Sequence, residues 1–239
     1  MKFDVLTLFP EMIEAYLRQG ILGRAITRGL ISIQLINIRD FAKGKHKITD
    51  DRPYGGGEGM IMKPGPIDRA LKSVDRVPGI SRVILLTPQG RRFAQSMAWE
   101  MSGWDQLILI CGRYEGVDER IVAGHVDLEL SVGDYILTGG ELGAMVVIDA
   151  VARLIPGVLG GERSPLEDSF EDGLLKYPQY TRPRVFEGKE VPEILLSGDH
   201  EKIRVWRRKK SLKRTAERRP DLLEQAVLTA EDRAILAEE

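Results

Sequence analysis

The segment RVILLTPQGRR, Arg82–Arg92, sets a short apolar run against a loop of Pro, Gln and Gly. An apolar run of that length without period-two alternation reads as a strand buried on both faces. The same order recurs twice downstream. QLILIC leads into CGRYEG, Cys111–Gly116, and VDLEL leads into SVGDYILTGG, Ser131–Gly140, with a helix-compatible segment after each loop. Upstream, FDVLTLF ends at Pro10, a residue suited to the first turn of a helix over 11–17, and LISIQLINI is a further β-rich run. Strands alternating with helices predict an α/β fold, a mostly parallel sheet with helices on both faces. Ligands of such sheets gather at the carboxyl ends of the strands, so the three loops should meet.

With 239 residues and 43% apolar content, the chain can bury one large core or two smaller ones. Its longest apolar run, AMVVIDAVARLIPGV, is interrupted by Asp149 and Arg153, and MKFDVLTLFPEM lacks the layout of a signal peptide. A soluble, cytoplasmic protein without membrane association is expected. Cys111, the single cysteine, excludes an intrachain disulfide, and His46, His125 and His200 have no metal-ligand spacing.

The net charge of −1 hides an asymmetry. Lys202–Arg219 carries ten basic residues against Glu217 alone, whereas no Lys or Arg occurs between Arg120 and Arg153. Such a basic run is either a solvated helix face or a surface for a polyanion. The alternating pattern stops near Pro156, which predicts a first domain over 1–160, a Gly/Pro-rich linker over 161–175 and a small all-α domain over 176–239. Thr229 and Asp232 have the spacing of a capping box for the last helix.

The three loops contain neither the G-x-G-x-x-G of a dinucleotide site nor the G-K-[ST] of a P-loop. They offer apolar side chains, backbone groups and carboxylates, which suits a nucleoside bearing a positive centre rather than a phosphate. Leu86, Val132, Ile136 and Leu137 would hold an adenine, and Glu115 or Asp134 would tolerate the cation. S-adenosylmethionine is such a molecule. Ordinary turn chemistry would explain the same glycines. A nucleotide-binding oxidoreductase would share the alternation but lacks its fingerprint, and a non-catalytic RNA-binding module leaves the loops unexplained.

DDRPYGGGEGMIM, LTPQGRR, LILICGRYEGVDER, SVGDYILTGGELGAM, RLIPGV and EDSFEDGLL resemble the bacterial tRNA (guanine-N1)-methyltransferase family, TrmD, of the SPOUT class. The resemblance runs from LTLFPEM to LLSGDH and RRP, nearly the whole chain. It implies methyl transfer from S-adenosylmethionine to N1 of the guanosine immediately 3′ of the tRNA anticodon, where another guanosine precedes it. It also implies a deep trefoil knot, a homodimer with its active site at the subunit interface, and assistance by Mg2+, for which no ligands are assigned. Carried onto this chain, the donor site comprises Leu86, Thr87, Pro88, Gln89 and Gly90, then Gly112, Tyr114, Glu115 and Gly116. Val132, Gly133, Asp134, Tyr135, Ile136, Leu137, Gly139 and Gly140 complete it. The general base is Asp168, with Arg153 assisting; Gln179 stands where some family members have histidine.

Guanine N1 is a weak nucleophile until its proton leaves, and the departing proton shifts charge onto O6. A carboxylate suits the first task and a guanidinium the second. By residue type alone, Asp168 is indistinguishable from Glu162, Glu167, Glu171 and Asp172, while Arg153, in an apolar stretch, serves a ligand or a structural ion pair. Cys111, closing LILIC, reads as a small buried hydrophobe, because a nitrogen acceptor needs no covalent thiolate. Tyr54 beside its glycines forms either a tight turn or a wall of the site, and Trp206 is expected to anchor its helix.

Overall fold

The computed structural model describes residues 1–161 and 165–237. The chain divides into two compact units, Met1–Glu162 and Arg163–Glu239.

In the first unit, β1 (Lys2–Thr7) runs into α1 (Pro10–Leu17), opened by Pro10, and α2 (Gly20–Thr27) leads to β2 (Ser32–Asn37). A two-residue ladder, β3 (Asp50–Asp51) with β4 (Ile61–Met62), brackets the glycine-rich segment ahead of α3 (Pro64–Lys72). The three repeats follow as β5 (Ser81–Arg92), α4 (Gln95–Ser102), β6 (Gln106–Cys111), α5 (Glu119–His125), β7 (Leu128–Ser131) and α6 (Glu141–Ala152). The sheet order is β2-β1-β6-β5-β7, and every neighbouring pair is parallel.

Pleating sends successive side chains to opposite faces, so a continuous apolar run feeds two cores. Phe3, Val5, Ile84, Leu107 and Leu109 pack with Ile13 of α1, Met101 of α4 and Val147 and Ile148 of α6. Leu6, Val83, Leu85, Ile108 and Ile110 pack on the other face with Ile67 and Leu71 of α3 and Ile121 of α5. Helices therefore cover both faces.

One irregularity shapes the site. Ile84–Leu86 pair with Leu128–Leu130, but the ladder resumes only at Arg91, again opposite Leu130. Thr87, Pro88, Gln89 and Gly90 are thus looped out of the β5/β7 ladder at its carboxyl end.

The second unit is mainly helical: α7 (His200–Arg218), α8 (Pro220–Gln225) and α9 (Ala230–Ala237). It departs from an all-α reading in one place. Ahead of α7, β8 (Val185–Phe186) and β9 (Lys189–Glu190) form an antiparallel hairpin. Glu187 and Gly188, with φ of 49° and 74°, supply the left-handed pair that a two-residue hairpin turn requires. The capping box on α9 is formed: Thr229 N–H donates to Asp232 Oδ2 (2.9 Å), and Asp232 N–H to Thr229 Oγ1 (3.1 Å). Within the stretch read as a linker, Pro165–Glu167 makes a 3-10 turn. Residues 162–164, including Glu162, lie outside the described residues.

Candidate functional site

The carboxyl ends of β5, β6 and β7 surround a cleft of about 270 Å3. Its first wall is the looped-out Thr87–Gln89. The second is Gly112–Val117, held by Glu115 N–H donating to the Met60 carbonyl and Met62 N–H to the Gly116 carbonyl, both at 2.9 Å. Tyr114 and Gly116 turn this loop with φ of 61° and 127°, and a left-handed tyrosine is strained backbone of the kind that concentrates at functional sites. The third wall, Ser131–Gly140, is joined to the second where Gly140 N–H donates to the Gly112 carbonyl at 2.8 Å. Leu86 and Leu130 make an apolar floor, while Tyr135 and Ile136 stand exposed at the rim. Among the described residues no lysine lines the cleft, and Arg113, which does, is paired with Glu141. The cleft thus presents apolar surface, backbone edges and the carboxylate of Glu115.

Of the donor-site residues named from the sequence, all but Gly90 and Asp134 line this cleft. Gly90 lies outside the lining. It is where the loop rejoins β7, and a Cβ there would sit 2.3 Å from the Leu130 nitrogen, so its glycine serves close backbone passage. Asp134 is also outside. Tyr135 N–H donates to the Gly133 carbonyl (2.9 Å), a three-residue turn with Asp134 at its apex, and the exposed carboxylate lies 3.7 Å from Arg92.

Arg113 and Glu141 were not named as site residues from the sequence. Glu141 opens α6, is 1% exposed, and accepts from Thr7 Oγ1 (2.7 Å) and Arg113 Nε (3.0 Å). The available signal was an acid at the head of an apolar helix, directly after Gly139 and Gly140. Tyr54 is fully exposed, on a turn where Gly55, Gly56, Gly57 and Gly59 all have positive φ.

Arg153 caps the carboxyl end of α6. Gly143 of that helix lines the cleft, so Arg153 stands about 15 Å further along it. Asp168 belongs to the second unit. There it lines a cavity of about 410 Å3 with Lys176, Tyr177, His200, Arg207 and Arg208 among others. Its Oδ1 accepts from Lys176 Nζ at 3.0 Å. Around it, the Arg207 guanidinium lies 4.8 Å over the Tyr177 ring, and Trp206 meets Tyr180 at 6.5 Å, which anchors this part of α7.

Cys111 is wholly buried, and burial pushes its thiol well above the usual range, with Glu141 adding to the shift and Arg113 opposing it. It is no nucleophile in this state. Among the described residues, no group of three His, Cys, Asp or Glu is arranged to hold a metal ion, and no helix is long and apolar enough to cross a membrane.

Comparison with known proteins places the whole chain rather than any one site. A family model described as tRNA (Guanine-1)-methyltransferase TrmD matches residues 1–225. The tRNA (guanine-N(1)-)-methyltransferase of Syntrophotalea carbinolica is 56% identical over 238 residues, covering 100% of this chain and 96% of the relative. The proteins of that name from Caldanaerobacter subterraneus and Geobacillus kaustophilus are 57% and 54% identical, each covering 100% of this chain and 98% of the relative.

Proposed function

The chain belongs to the TrmD family of tRNA (guanine-1)-methyltransferases, and from that premise we propose that it methylates N1 of the guanosine immediately 3′ of the anticodon, where a guanosine precedes it. The donor in this reading is S-adenosylmethionine, which supplies an electrophilic methyl carbon on its sulfonium when bound. The observation that carries the reading is the cleft: three strand ends, an apolar floor, backbone edges, one carboxylate and no lysine. Leu86, Val132, Ile136 and Leu137 hold the adenine, backbone groups of Gly112–Gly116 and Thr138–Gly140 read its edge, and Glu115 faces the positive sulfonium.

Asp168 takes the proton from guanine N1 as the nitrogen attacks, and Arg153 bears the charge gathering on O6. Both roles need the groups at the acceptor ring, which supports a site shared between two copies of the chain. Two observations favour a homodimer. Arg153 is remote from the cleft of its own chain, and Met12 and Tyr16 of α1 and Leu142 and Val146 of α6, two helices that pack together, expose apolar side chains. A trefoil threading belongs to this reading as the family's expectation; Gly140, whose Cβ would lie 2.8 Å from Cys111 Cα of β6 and 3.1 Å from Leu86 Cβ of β5, passes the ends of those strands at a distance that glycine alone allows. The cations of α7 hold tRNA phosphates, giving salt-sensitive affinity. Among the described residues no three carboxylates, histidines or cysteines form an ion cage, and no residue is assigned to Mg2+. A cytoplasmic location follows from the substrate.

The test is transfer of labelled methyl to two tRNA transcripts that differ only in the target base, followed by nucleoside mass spectrometry. Label at guanine N1 in the first and none in the second is expected; label on both, or at another ring atom, refutes the assignment.

A further inference from the structure

Behind the cleft, three segments far apart in the sequence are tied to one carboxylate. Glu141 Oε1 accepts from Thr7 Oγ1 at 2.7 Å, and its Oε2 accepts from Arg113 Nε at 3.0 Å. Arg113 reaches further: Nη1 donates to the Thr138 carbonyl at 3.3 Å, and the guanidinium lies 4.5 Å over the Phe9 ring. Phe9 N–H in turn donates to Thr7 Oγ1 at 2.9 Å, which closes the set. The Glu141 and Arg113 side chains are 1% and 15% exposed. Such a pair is rarely worth more than apolar packing of the same volume, so stability alone does not explain it. What it does give is fixed geometry.

The pair stands where two cleft walls meet. Arg113 and Gly139 pair backbone to backbone, and a Cβ on Gly139 would sit 2.2 Å from Arg113 Nε and 2.6 Å from Glu141 Oε2. The glycine thus leaves the room that the ion pair fills. Both walls present backbone edges to whatever occupies the cleft; backbone bonds join them at Gly112 and Gly140, and the guanidinium that spans them from Glu141 to the Thr138 carbonyl fixes their spacing further.

We propose that Arg113, Glu141 and Thr7 are positioning residues for the methyl donor: they hold the Gly112–Gly116 and Thr138–Gly140 walls at the separation its nucleoside requires. This rests on reading the cleft as the donor site. Misplacing a wall by an ångström can cost about a hundredfold in a preorganised site, so partial loosening should show clearly in affinity.

Calorimetry with S-adenosylhomocysteine, run beside thermal melts, tests the assignment on the full chain. Arg113→Lys keeps the charge but cannot bond Glu141 and the Thr138 carbonyl together, and it is expected to bind about tenfold more weakly with its circular dichroism unchanged. Thr7→Val, which removes only the hydroxyl, is expected to weaken binding about threefold, and Thr7→Ser to restore it. Affinity equal to the parent in Arg113→Lys and Thr7→Val, whatever happens to the melting temperature, overturns the positioning role. Should Arg113→Lys not fold, the Thr7→Val and Thr7→Ser pair decides. A parent chain that binds no S-adenosylhomocysteine sinks the donor reading itself, a result distinct from equal binding by parent and variants.

Discussion

Lys176 Nζ lies 3.0 Å from Asp168 Oδ1 on the wall of the second unit's cavity. The ammonium holds the carboxylate in one orientation and among the groups that line the cavity, which a solvated acid in a linker would not have. Asp168→Asn keeps the shape and removes the base. It is expected to slow single-turnover methyl transfer by about a hundred- to ten-thousand-fold while donor affinity stays at the parent value. Loss of both together would make Asp168 a structural residue.

Cys111 sits at 0% exposure at the end of β6, with its thiol pushed up by burial. Cys111→Ala is expected to retain transfer activity and to lower stability by about 1 kcal/mol for the lost sulfur contacts. A thiol reagent should leave the folded parent unlabelled and react fully in denaturant. Inactivity of a well-folded Cys111→Ala chain would revive covalent chemistry.

The strands were legible because β1, β2, β5, β6 and β7 are apolar runs punctuated by Gly and Pro, and the Thr229–Asp232 box because capping is local. Thr87–Gly90 was readable as a loop from its Pro, Gln and Gly, and the structure loops it out of the β5/β7 ladder. What escaped was non-local. Nothing near β6 says that it lies between β1 and β5, and nothing near Thr7 announces a bond to Glu141, 134 residues away. The β8–β9 hairpin was missed because its strands are two residues each, too short for any periodicity. Asp168, Glu167 and Asp172 look alike in sequence; in the structure Asp168 is paired with Lys176 and Asp172 with Arg208.

Gly90 and Gly55 separate two reasons for glycine. A Cβ at Gly90 would stand 2.3 Å from the Leu130 nitrogen and 2.4 Å from the Glu129 carbonyl carbon, backbone atoms of a paired strand that cannot yield. Gly55 has φ of +87° but nothing within 4 Å of its Cβ position. Gly90→Ala is therefore expected to cost about 3 kcal/mol, and Gly55→Ala only the backbone strain, about 1 kcal/mol. Urea unfolding midpoints measure both. Equal effects would mean that the passage of Thr87–Gly90 past β7 is looser than the geometry states.

Asp232 binds Arg208 through both oxygens, at 2.7 and 2.8 Å, while capping α9, and Arg208 also reaches Asp172. The Arg208 hydrogen bonds hold the Asp232 carboxyl far below the ordinary carboxylate range, with the Thr229 bonds adding to them and burial opposing. A depressed folded value means that the unfolded chain takes up the proton first. The stabilisation is therefore whole above about pH 4, the unfolded-state value, and drains away as pH falls below it. Arg208 is pushed the other way, upward, but an arginine is protonated in both states at any working pH and adds no slope. Asp232→Asn should cost about 2 kcal/mol at pH 7, from the weakened cap and the lost ion pair, with Asp172 still holding Arg208. Its deficit against the parent should shrink steadily between pH 4 and pH 2. Denaturant unfolding of both chains across that range, followed by helical circular dichroism, reads the difference. Parallel stability profiles down to pH 2 would show that the Arg208–Asp232 contact adds nothing to the fold of the second unit.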